Sequence, residues 1–204
     1  MKKTQNLKNS IKPCVDELER FYQFVNKEYG LKLPDQIVIT IQTRGKRNAL
    51  GWFFPEKWTN GKGTVNEINI SAEDLTKGNP YETISHEVAH YKNYVEKVKD
   101  CSKNQYHNKK FRDRAESLDL EVKKSGHYGY AFTKPTEVWE KQLKKFKPDK
   151  NAFVLFRNSV GTKEKAPTKM KLWECSCGVK VRCAVELNAV CKDCETPFVK
   201  QEDN

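Results

Sequence analysis

Residues 83 to 94 read TISHEVAHYKNY and set two histidines four positions apart with a glutamate beside the first. On a helix, residues four apart lie on one face, one turn apart, so His86 and His90 can address a single metal ion. Glu87 then stands close enough to hold a water at that ion. This is the chemistry of the HExxH pattern: neutral imidazoles bind zinc, zinc acidifies water, and the carboxylate takes the proton. A catalytic zinc also needs a third protein ligand and an open position. The spacing HExxHxxGxxH is absent, since Asn93 occupies the glycine position. The candidates for the third ligand are His107, Glu116, Glu121 and His127. His107 fits best, because it sits in a polar loop just before the next helix. Glu116 and Glu121 read more simply as solvated helix residues, and His127 as a turn residue after Ser125 and Gly126. An additional electrophile could come from Tyr91, Tyr106 or Arg112.

A second cluster closes the chain. Five of the seven cysteines fall within WECSCGVKVRCAVELNAVCKDC. Cys191 and Cys194 form a C-x-x-C knuckle, and Cys175 and Cys177 a tighter C-x-C pair. Two such pairs supply four thiolates for a tetrahedral structural zinc. Cys183 could replace Cys175, because C-x-C is strained compared with C-x-x-C. Short strands, VKVR and PFVK, suggest a zinc ribbon. About 30 residues bury too little apolar surface to fold alone, so metal would supply the folding energy. We expect two zinc ions per chain, one catalytic and one structural.

The elements around the first motif follow from periodicity. CVDELERFYQFVNKEYG repeats apolar residues at helical spacing and stops at Gly30. QIVITIQT alternates as a strand, ALGWFF reads as a second strand closed by Pro55, and VNEINIS as a third. We take VNEINIS as the exposed edge along which an extended substrate would add a strand. Asn79, Pro80 and Glu82 carry the start signals of the motif helix, with Glu82 in the capping-box position. That helix is expected to run to about Val98. KKFRDRAESLDLEVKK reads as a helix ended by Gly126, TEVWEKQLKKF as a shorter helix, and AFVLF as a strand.

Composition sets the broader limits. The chain has 204 residues, 37% of them hydrophobic, and a net charge of +11. No apolar run approaches the roughly 18 residues of a membrane span. The start, MKKTQNLKNSIKP, lacks an apolar core, so no secretion signal is expected and the reading is cytoplasmic. In that compartment clustered cysteines point to metal rather than disulfides. Residues 140 to 173 hold ten Lys/Arg against three Asp/Glu, so this stretch supplies +7. Such a block suits a polyanion such as DNA, with Phe146, Phe153, Phe156 and Trp173 as stacking groups or as core.

SHEVAHYKNY followed by KDCSKNQYHNKKFRDRAESL resembles the SprT-like metalloproteases. Their pattern is HExxH, a polar loop, then a third histidine in an H-N/G-x-x-F context before a helix. His86, Glu87, His90, His107 and Phe111 match it. RNALGWFFPEKW and EINISAEDL look like the strands that precede the motif in bacterial and phage members. ECSCG with LNAVCKDC resembles the family's C-terminal ribbon and favours Cys175 over Cys183, although the family's first pair is usually C-x-x-C. The likeness spans roughly residues 15 to 200. It implies an α+β fold: a zincin-like domain over 1–160, with a small sheet packed on the HExxH helix, then a basic linker and a four-cysteine zinc ribbon over 161–204. It also implies a zinc endopeptidase, since eukaryotic members digest proteins crosslinked to DNA. The alternatives are a non-proteolytic, zinc-stabilised nucleic-acid-binding module, which has no use for Glu87, and a peptidase that cleaves a repressor, a kind that generally lacks the ribbon.

Overall fold

The computed structural model describes residues 10–43, 49–75, 78–102, 104–155, 157 and 170–201. The chain divides into two units, Met1–Asn158 and Ser159–Asn204. The first holds helices α1 (Lys12–Glu28), α2 (Pro80–Val95), α3 (Lys109–Glu116) and α4 (Glu137–Phe146). Its strands are β1 (Val38–Gln42), β2 (Gly51–Thr59), β3 (Thr64–Ser71), β4 (Leu120–Ser125) and β5 (Gly129–Pro135). The second holds β6 (Lys171–Glu174), β7 (Lys180–Cys183) and β8 (Val199–Lys200). The fold is mixed α+β, with small sheets. No helix among the described residues is long and apolar enough to cross a membrane.

The core forms where the apolar stripes of α1 and α2 meet one face of the first sheet. Leu18, Phe21, Tyr22 and Val25 from α1 join Ile84, Val88 and Tyr91 from α2 and Ile39, Ile68 and Ile70 from the strands. Asn26 clamps the turn after α1: its amide donates to Leu33 O and its carbonyl accepts from Leu33 N, both at 2.9 Å.

That sheet has the order β1-β3-β2, with β1 parallel and β2 antiparallel to β3. VNEINIS is therefore the central strand, and the expectation that it forms the exposed edge is overturned. Glu67 and Asn69 are buried on one face and bonded to the neighbouring strands, although Asn69 Oδ1 has no partner. Thr40 Oγ1 donates to Glu67 Oε1 at 2.6 Å, Trp58 Nε1 to Glu67 Oε2 at 2.8 Å, and Asn69 Nδ2 to Thr40 Oγ1 at 2.7 Å. Alternation marked two faces correctly, but a hydrogen-bonded polar face needs no solvent. The edges are β1 and β2, and β2 runs past Pro55 to Thr59, because an edge strand tolerates a missing N–H. The pairing shifts between Phe54 and Trp58, where Glu56 takes a left-handed backbone.

Four further expectations are corrected. α2 starts as read, with Asn79 Oδ1 accepting from Glu82 N, but it ends at Val95. The Glu82 carboxylate does not reach back to the cap; it accepts from Thr133 Oγ1 at 2.8 Å. The helix expected over KKFRDRAESLDLEVKK stops at Glu116, and Leu120–Ser125 is strand β4, paired with β5. Asp119 turns left-handed between them, and Leu118 and Leu120 bury while Glu121 is exposed, a period of two inside a stretch read as helical. AFVLF is turn and coil through Leu155, with Phe156 outside the described residues.

In the second unit β7, β6 and β8 form an antiparallel sheet. Among its described residues the buried apolar ones are Trp173, Cys175 and Cys191, so two of the three are thiols.

Candidate metal centres

α2 brings His86 and His90 onto one face, with ring centroids 5.2 Å apart. His107 arrives from the loop before α3, with its ring 5.3 Å from His86 and 4.9 Å from His90. Its backbone is gripped by the β4–β5 hairpin: His107 N donates to Tyr128 O at 2.9 Å, and Tyr130 N donates to His107 O at 3.0 Å. Gly129 makes this approach possible. Its backbone is left-handed, and a Cβ there would stand 2.1 Å from His107 O. Phe111, fully buried, lies 4.6, 4.4 and 4.6 Å from the rings of His86, His90 and His107, so the apolar residue four positions after His107 is the floor of the cluster.

The hydrogen bonds around the rings fix their tautomers. His90 Nδ1 lies 2.9 Å from Asp100 Oδ2, and His107 Nδ1 lies 3.0 Å from the Gln105 carbonyl. Both partners only accept, so both Nδ1 atoms carry protons. His86 Nδ1 is 3.2 Å from Thr133 Oγ1, whose own proton goes to Glu82 Oε1, so His86 Nδ1 donates as well. Each neutral ring then presents an unprotonated Nε2. Those of His90 and His107 face each other at 3.1 Å, where lone pairs repel unless a proton or a metal cation lies between them. Ligands about 2.0–2.1 Å from a tetrahedral zinc stand roughly 3.3 Å apart, so the donor set fits that ion. One ligand atom from each of the three histidines can be chosen so that all lie within 4.8 Å of one another. Burial, with the neighbouring rings, holds His86 well below the usual histidine range, and burial first lowers His107 to about 4, which keeps both available as neutral ligands.

Glu87 is 5% exposed. Burial pushes its carboxyl up to about 7, against the opposing influence of His90 and of the Phe53 backbone N–H. The β2 backbone reaches this carboxylate because Gly51 has no side chain: a Cβ there would meet Thr83 Cγ2 at 2.7 Å, Asn69 O at 2.8 Å and Glu87 Oε1 at 3.3 Å. His86, Glu87, His90 and His107 line a cleft of about 880 Å³ walled by β2 residues 51–55 on one side and β5 residues 131–133 on the other. No lysine or arginine lines it among the described residues.

The structure separates the other candidates from this cluster. Glu116, Glu121 and His127 are exposed and outside it. Tyr91 is a core residue, stacked 4.9 Å from Phe53, with its hydroxyl accepting from Asn66 Nδ2 at 2.9 Å. Tyr106 packs against Gly129, and Arg112 bonds Asp113. None of these three lines the cleft, whereas Tyr94 and Tyr128 do. Sequence reasoning missed Asp100, Thr133 and Glu82 as partners of the histidines. Asp100 and Thr133 lie on other elements, with no spacing rule to link them to the motif.

In the second unit Cys175, Cys177, Cys191 and Cys194 place their sulfurs within 4.8 Å of one another, and none is in a disulfide. Cys175 and Cys177 are 3.2 Å apart, and Cys177 and Cys191 3.8 Å. About 3.8 Å is the edge of a tetrahedron of four sulfurs around zinc with 2.3 Å bonds. Hydrogen bonds from Thr196 and Ser176 pull Cys194 down to about 5, while those with Cys175 and Cys194 push Cys177 up to about 12. A cation among the four sulfurs would favour their thiolate forms. Cys183 ends β7 outside the group. Of the aromatic residues in the basic stretch, Phe146 and Trp173 are buried and Phe153 packs on the core, so none of these three is a free stacking platform.

Comparison with protein families, with curated proteins and with solved structures finds no match in any of the three.

Proposed function

We propose that this protein is a zinc-dependent endopeptidase of the SprT-like kind, with a zincin-like first unit and a zinc ribbon as the second. The observation that carries the reading is the convergence of three histidines, each with a ring nitrogen within 4.8 Å of the others, beside a buried carboxylate in a cleft walled by a sheet edge. A structural zinc site needs no base and no open cleft. His86, His90 and His107 would hold the catalytic zinc, and Cys175, Cys177, Cys191 and Cys194 the structural one. The catalytic ion, when bound, supplies Lewis acidity towards a water and towards the scissile carbonyl.

The chain's own residues account for the rest. The free edge of β2 binds an extended peptide by backbone hydrogen bonds, the role that the sequence reading gives to β3. Glu87 takes a proton from a water in the cleft and passes it to the leaving amine. A carboxyl raised to about 7 suits both steps, because it gives up the proton as readily as it accepts it. The test is Glu87→Gln, which keeps the shape of the side chain. Cleavage of an unfolded protein substrate should fall by about 10²–10⁴-fold with zinc content unchanged. Undiminished cleavage would exclude Glu87 as the base.

Among the described residues of the first unit, positive charge gathers on an element that does not line the cleft. α4 and the turn after it carry Lys141, Lys144, Lys145, Lys147 and Lys150. This favours nucleic acid as a second partner, so the substrate would be protein bound or crosslinked to DNA. Cleavage stimulated by DNA, and lost with salt, is the expected result; equal cleavage without DNA removes that part. DNA binding with no cleavage of any protein would favour the binding module.

A further inference from the structure

We propose that Asp100 is the positioning residue of the histidine centre and that it ties metal affinity to the docking of α3. The inference rests on the metal-centre reading above.

Asp100 acts on two ligands at once. Its side chain accepts from His90 Nδ1 at 2.9 Å, and its backbone carbonyl accepts from Asn108 N at 2.9 Å, the residue after His107. The same Oδ2 accepts from Asn93 Nδ2 at 2.9 Å, and Asn93 Oδ1 accepts from Arg114 Nε at 3.1 Å. Arg114 belongs to α3 and also pairs with Glu96 just beyond α2. A continuous chain thus runs from α3 through the buried Asn93 to the ring of a ligand. A carboxylate on the far nitrogen fixes the ring orientation and raises its basicity, and loss of such a partner commonly costs about 10–100-fold in metal affinity.

The three rings are not served equally. His90 has an anionic acceptor, His86 has the Thr133 hydroxyl relayed to Glu82, and His107 has a neutral carbonyl. The ordering of effects follows from that difference. Asp100→Asn keeps an acceptor at the Oδ2 position and removes the charge.

The experiment is zinc competition against a chromophoric chelator on the full chain, with cobalt substitution to separate the sites. Only the cysteine site gives intense thiolate-to-cobalt bands. Asp100→Asn should weaken zinc at the histidine site by about 10–100-fold, with cysteine-site bands and metal-free melting unchanged. Thr133→Val and Arg114→Gln should each weaken it less. Affinity of Asp100→Asn within about two-fold of wild type overturns the proposal, because a lost carboxylate partner costs about ten-fold or more. So does a loss matched by lower metal-free melting in all three variants, which would mean a role in folding only. If wild type takes up metal only at the cysteines, the metal-centre reading falls and the proposal with it. If Asp100→Asn loses metal while wild type cleaves nothing, the positioning role stands and the peptidase reading falls.

Discussion

The two candidate metal centres are built on opposite terms. The histidines are spaced by a helix, floored by Phe111 and oriented by hydrogen bonds at every Nδ1, all within a unit that has its own apolar core. The cysteines sit in turns beside a short sheet, where the buried apolar residues among those described are Trp173 and two of the thiols themselves. A centre held by its surroundings should outlast its metal. A centre that is its own core should not. The proposed functions follow the same division, since a preformed site beside an open cleft suits catalysis and a closed four-sulfur site suits a scaffold.

The largest effect should come from breaking the second centre. Chelation, or Cys191→Ser, should unfold residues 170–201, seen as loss of their dispersed amide resonances, while the helical circular dichroism of the first unit persists. Loss of helix in step with the ribbon would mean the two units are not energetically separate. Next, Gly129→Ala should destabilise the first unit by about 3 kcal/mol in denaturant unfolding and weaken zinc at the histidines, because a Cβ cannot share space with His107 O. An Ala variant of wild-type stability would show that the hairpin can move without cost.

A smaller effect depends on pH. Glu87 has a folded value of about 7, above its unfolded value of about 4.5, so its contribution to stability is present at low pH and lost as pH rises through 7. In metal-free protein, Glu87→Gln should therefore match wild type near pH 4 and exceed it by roughly 3 kcal/mol at pH 8. The lowered His86 and His107 act in the opposite sense, losing stability as pH falls below about 6.5, but they are common to both proteins and cancel in the difference. A pH-independent difference would place the Glu87 carboxylate in water. The smallest effect is for Cys183→Ser, which should leave zinc content and ribbon melting unchanged.

Much of this was legible in the sequence because it is local. The spacing of His86 and His90, the cap at Asn79 and the C-x-C and C-x-x-C pairs depend on chain geometry over a few residues, and periodicity found α1, α2 and most strands. β4 was missed because the charges of KKFRDRAESLDLEVKK suit a helix, while the alternation of Leu118, Leu120 and Val122 is too short to outweigh them. Other features were set only by tertiary structure. β3 is central rather than an edge because Glu67 and Asn69 find partners on β1 and β2, which no pattern within β3 could reveal. His107 joins the other histidines because a hairpin with glycine at position 129 grips its backbone, and Asp100, Thr133 and Glu82 orient the rings from separate elements. Sequence determined which groups could do the chemistry. Their convergence depends on long-range backbone pairing, and only the fold decided that.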